Sequence, residues 1–174
     1  ATSGTCGTVY SNSVLITVLP QITSGQIGSA QSICYNTTPA EITNSTSPTG
    51  GTGSFTYQWQ SSPNGTSGWT TIGGANSDSY QPGALTTNTY YRRVETSGSC
   101  ASVYSNVIQI TVYGDLTPGA VGASQTICYN TAPSSFTNIT SPSGGPGAYT
   151  YQWQSSPDNS TWTDITGAGA ATYT

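Results

Sequence analysis

Apolar and polar residues alternate along Phe55-Thr56-Tyr57-Gln58-Trp59, so one side of this stretch is greasy and the other wet. That is the period of a half-buried strand, and a Trp at its centre is large enough to anchor the core of a small sandwich. The same pattern returns at Tyr149-Thr150-Tyr151-Gln152-Trp153. Further strands are predicted wherever β-branched and aromatic residues cluster between turn signals. They fall at Val14 to Val18, up to Cys34, Glu41 to Asn44, Trp69 to Ile72, Asp78 to Gln81, Thr89 to Thr96 and Asn106 to Tyr113. Ser47 to Gly53, Pro63-Asn64-Gly65, Gly73-Gly74 and Pro82-Gly83 are read as turns and loops from their Gly, Pro and Asn content.

Trp59 and Trp153 lie 153 − 59 = 94 residues apart, and so do Cys6 and Cys100, and Cys34 and Cys128. Residues 1–18 match residues 95–112 at the same offset. The chain therefore divides into three parts. Residues 1–18 form the C-terminal strand of a preceding repeat, 19–113 one complete repeat, and 114–174 a repeat lacking its last two strands. About seven strands per repeat, a turn every ~8–12 residues and no helical period predict an all-β sandwich of about 100 residues. A sandwich short of two strands leaves sheet edges uncovered. The chain is accordingly expected to be an excerpt of a longer array, or to have its missing strands supplied by something else.

Composition narrows the class. Charged residues are 5% of the chain, with two Arg, no Lys and no His, and Ser plus Thr make up about a third, far above ordinary usage. Two Arg cannot neutralise a phosphate backbone, so nucleic acid is excluded as a partner. No apolar run is long enough to cross a membrane as a helix. An even cysteine count in a hydroxyl-rich, Lys-free chain reads as secreted, with disulfides.

The strings ICYNTTP, TYQWQSSPNGTSGWTTI, SYQPGALTTNTYYRRVETSGSC and SNVIQITV together resemble the tandem immunoglobulin-like (PKD-like) repeats of large secreted surface proteins of Bacteroidota. The resemblance spans the whole chain. It implies tandem immunoglobulin-like β-sandwich repeats of about 94 residues, export to the bacterial cell surface, and adhesion or filament formation. It carries no catalytic residues.

Candidate residues follow from the same reading. Cys34 and Cys100 are expected to pair within one repeat, with Cys6 and Cys128 bridged elsewhere, against the difficulty that a standard immunoglobulin topology puts the first turn and the last hairpin at opposite ends. The alternatives are Cys6–Cys34 with Cys100–Cys128, which would staple neighbouring repeats, and pairs between chains. A zinc site lacks His and any CxxC spacing. Arg92 and Arg93 are neighbours on one strand, so one must face inward. Stacking on Tyr57, Trp59 or Trp69 is the expected role, with Glu95 or Glu41 as ion partner, and ligand binding is the alternative. Tyr91, or else Tyr90, is placed in a tyrosine corner. Trp59 and Trp153 are core, and Trp69 and Trp162 are either core or a glycan-stacking surface. The six carboxylates make no recurring pair, so no glycosidase dyad, calcium loop, metal or cofactor is expected. Asn36, Asn44, Asn64, Asn138 and Asn159 each begin an Asn-x-Ser/Thr triplet. The expected function is a structural or adhesive surface array whose partners are neighbouring repeats, copies of itself or surface glycans. The alternative is a carbohydrate-binding module of a polysaccharide-degrading enzyme.

Overall fold

The computed structural model describes residue 1, residues 4–122 and residues 124–174. Every regular element among them is a strand. In chain order these are β1 (Gln26–Ile27), β2 (Gln31–Ile33), β3 (Asn44–Thr46), β4 (Thr56–Ser62), β5 (Thr70–Thr71), β6 (Thr89–Thr96), β7 (Val103–Tyr104) and β8 (Ile108–Val112). The second repeat contributes β9 (Gly114–Thr117), β10 (Ala120–Val121), β11 (Asn138–Thr140), β12 (Ser143–Gly145), β13 (Gln154–Ser155) and β14 (Thr163–Asp164).

The largest sheet runs β2-β8-β6-β4-β5, with β7 also on β6. Its spine is the antiparallel pair β4 and β6, in register from Thr56↔Thr96 to Ser62↔Tyr90. Tyr57, Trp59 and Ser61 thus stand beside Glu95, Arg93 and Tyr91 on one face. A second layer is made by β1 paired with β3 and by a bridge between Ile42 and Tyr80. Ile27, Ile42, Trp59, Tyr91, Ile108 and Ile110 meet between the layers as the buried core. The arrangement is all-β with several sheets, consistent with a β-sandwich.

The first strand region changes layer within a few residues. β1 belongs to the small sheet and β2 lies parallel to β8 in the large one. Asn106 ties the two together, since its Oδ1 accepts from the Ile27 N–H at 2.7 Å and its Nδ2 donates to the Ile27 carbonyl. A side-chain amide thereby replaces a missing ladder partner for β1.

The second repeat reuses these contacts. β10 pairs with β11 as β1 does with β3, and Phe136 bridges Tyr173 as Ile42 bridges Tyr80. The indole Nε1 of Trp59 donates to the Ser77 carbonyl at 2.9 Å, and that of Trp153 to the Ala170 carbonyl at 2.9 Å. Trp59 is fully buried, whereas Trp153 is only half-buried, because no counterpart of β6 and β8 covers it within residues 114–174.

Three expectations change. Tyr149 to Trp153 forms no strand, and only Gln154–Ser155 pairs there as β13, since a counterpart of β6, which holds β4 along its whole length, does not lie within residues 114–174. Val14, Leu15, Ile16 and Val18 form no strand and stand 80–88% exposed. A strand requires a neighbour, and the sheet partners of the matching segment β8 are β2 and β6, which have no equivalents between residues 4 and 13. Asp78 to Gln81 is reduced to the single bridge at Tyr80.

Candidate functional site

Three clusters of chemistry-bearing side chains stand out. The first lies inside. Inward positions of β6 alternate as Tyr91, Arg93 and Glu95, and the last two are fully buried. Arg93 Nη2 donates to Glu95 Oε1 at 2.7 Å and Nε to the same oxygen at 3.2 Å. Nη1 donates to Asn44 Oδ1 and to the Asp78 carbonyl. The guanidinium also faces the Tyr57 ring at 4.3 Å, and Glu95 Oε2 accepts the Gly25 N–H at 2.8 Å. Both charges are paired and their hydrogen-bonding atoms occupied, which is what burial of an ion pair demands. The pair joins β6 of the large sheet to β3 and the β1 approach in the small one. It is a lock between layers, closed to any ligand.

The second cluster is on the outer face. Arg92 lies between two aromatic rings, 4.2 Å from the Trp69 centroid and 4.1 Å from that of Tyr104. Its Nε donates to Gln60 Oε1 at 2.8 Å. The guanidinium covers one face of Trp69, which is half-buried, while Trp162 at the matching place stands 52% exposed. Trp162 shares a shallow cavity with Tyr151, Trp153, Gln152 and Asn138.

Tyr91 sits in the core with its ring 5.8 Å from Tyr80, and no hydrogen bond of a tyrosine corner involves its hydroxyl among the described residues. Burial, with a smaller push from Tyr80, raises its phenol to about 12. Asp158 is held well below the usual carboxylate range by the N–H groups of Thr161 and Ser160 and the Ser156 hydroxyl. It shapes a tight turn, as Asn64 does in the first repeat, where Asn64 Oδ1 accepts from the N–H groups of Thr66 and Ser67. At the next position Gly65 and Asn159 both take positive φ.

The third cluster is the cysteines. All four are free thiols. The expected Cys34–Cys100 bridge is absent, and topology explains why. Cys34 follows β2, whose Ile33 pairs with Val112, beyond the Thr89 end of β6. Cys100 follows the Thr96 end. Seven steps along a strand cover roughly 23 Å, whereas bridged Cα atoms lie within about 7 Å.

No group of His, Cys, Asp and Glu able to hold a metal ion occurs among the described residues, and no helix among them could cross a membrane. Fold and side chains thus define an all-β repeat protein whose two Arg side chains are both engaged within its own architecture. Residues 23–114 and 117–174 match the family described as a domain of unknown function, DUF8696, and the chain belongs to that family. No curated protein and no solved structure matches it.

Proposed function

We propose that the chain is part of a secreted array of tandem immunoglobulin-like sandwiches that acts as a stalk, layer or filament on a bacterial surface, without catalysis. The observation that carries this reading is the junction. A single residue, Tyr113, separates β8 from β9, and its N–H donates to the Ile33 carbonyl at 2.9 Å. With no free linker, successive repeats transmit direction and load. The low charge supports it, because a hydroxyl-rich surface has little like-charge repulsion against its neighbours. The resemblance to PKD-like surface repeats points the same way. Small-angle scattering and electron microscopy should find rods that lengthen with repeat number and associate side by side or end to end. Compact, isolated beads at every concentration would rule the reading out.

The second reading, a carbohydrate-binding module, is favoured by the exposed Trp162 beside Tyr151 and two amide side chains. It requires glycan-array hits that are lost in Trp162→Ala or Trp69→Ala without loss of folding. The structural reading expects no hits.

A further inference from the structure

Each repeat has a head end, where the chain comes in, and a tail end, where it leaves. In the first repeat the head is built from Pro20 to Ile22 against the loop Gly50–Gly53. The Gly51 N–H donates to the Pro20 carbonyl at 2.9 Å, and a Cβ on Gly50 would collide with the Gln21 carbonyl. Ser97 closes this end, since its Oγ accepts the Thr52 N–H at 2.9 Å, and its carbonyl accepts the Cys100 N–H at 3.1 Å. Cys100 is therefore a head thiol. Cys34, beside the Ile33–Tyr113 contact, is a tail thiol.

The junction brings tail to head. Cys34 and Tyr35 line one cavity together with Gly114, Asp115, Gly145 and Pro146 of the second repeat. Gly144 and Gly145 repeat Gly50 and Gly51 at the 94-residue offset, down to the collision a Cβ on Gly144 would make with the Asp115 carbonyl. The loop that Cys34 faces is thus the copy of the loop that, one repeat earlier, lies against the turn carrying Cys100. In a second repeat completed on the pattern of the first, the counterpart of Cys100 would lie against that same loop.

We propose that the tail thiol of each repeat is cross-linked to the head thiol of the repeat that follows. This rests on the tandem-array reading. Cys34 then pairs with the counterpart of Cys100 in the second repeat, and Cys100 with the counterpart of Cys34 in the repeat before. A small-molecule disulfide such as oxidised glutathione serves as oxidant. One cysteine thiolate attacks it and releases one thiol, and the second cysteine attacks the mixed disulfide and releases the other. Two protons leave the protein, and two electrons reduce the oxidant to two thiols. Cys34 is exposed and Cys100 half-exposed, so both are open to this exchange. The bridges would span every junction and none would lie within a repeat. They thus differ from the Cys6–Cys34 and Cys100–Cys128 staples, which join a head thiol to the tail thiol of the following repeat, at the opposite ends of those repeats.

The test is peptide mapping without reduction after exposure to oxidised glutathione. In the 174-residue chain, monomers should contain no internal bridge. Finding Cys34–Cys100, Cys6–Cys34 or Cys100–Cys128 overturns the proposal. A chain extended after Thr174 by residues 82–113 completes the second repeat and adds its head cysteine. That cysteine should be fully bridged to Cys34, and Cys34→Ser should leave it reduced. Pairing with Cys6 or Cys128, or a folded chain that stays reduced, overturns the proposal. Should the extended chain not fold, Pro146→Cys in the original chain tests the juxtaposition the proposal needs: it should bridge Cys34 and no other cysteine, and a bridge elsewhere or none overturns the proposal. Scattering separates the two readings: rods without the bridge sink only the cross-link, and compact particles sink the array.

Discussion

Glu95→Ala strands a charge. Glu95 and Arg93 are both fully buried, so water cannot replace what is removed. Arg93 keeps Asn44 and the Asp78 carbonyl but loses both bonds to Oε1. The Gly25 N–H loses its acceptor as well. Breaking a buried pair from one side costs about 3–5 kcal/mol, against a total stability of about 5–15 kcal/mol for a small domain. For a repeat of this size that is a fall in Tm of about 12 °C or more. Urea unfolding of the 174-residue chain, followed by tryptophan fluorescence, measures it. Arg93→Leu combined with Glu95→Leu should recover part of the loss, since no charge is left stranded, while the Gly25 N–H still lacks a partner. The loss should hardly change with salt, because screening acts on exposed charges. A Glu95→Ala chain within about 1 kcal/mol of the parent, the range of an exposed pair, would refute the lock between layers.

Arg92→Ala should cost about 0.5–2 kcal/mol and leave Trp69 more open to acrylamide quenching. Unchanged quenching would mean the guanidinium does not cover the ring. Gly50→Ala should destabilise far more than Gly53→Ala, since both have positive φ but only the first would meet backbone, at the Gln21 carbonyl; chemical denaturation compares them. In alkali the raised phenol of Tyr91 makes the folded chain hold a proton that the unfolded chain releases. Its contribution is whole below pH 10 and is lost as pH rises to about 12. Tyr91→Phe should flatten stability against pH across that window, and an unchanged slope would assign the loss to other groups.

Much of the fold was legible in alternation alone. Thr89 to Thr96 was predicted as a strand and is β6 residue for residue, because an eight-residue run of strand formers between turns has little else to become. The strand expected at Trp69 to Ile72 forms as β5 within it. Other places depended on contacts far along the chain. Val14 to Val18 has the same apolar character as β8 yet forms no strand, since pairing needs a neighbour as well as propensity. The candidate residues divide in the same way. That one of two adjacent Arg must face inward follows from strand geometry. That the inward one is Arg93, and that Glu95 two positions on meets it, depends on the register of β6 against β4.

By itself the sequence determined the 94-residue period, the all-β class, the low charge and the two kinds of cysteine, since these are properties of order and composition. Only the tertiary structure decided which ends of the repeat those cysteines occupy. A strand carries its two ends roughly 23 Å apart, so residues that a spacing argument would pair are held at opposite poles. The junction instead lays the tail of one repeat on the head of the next.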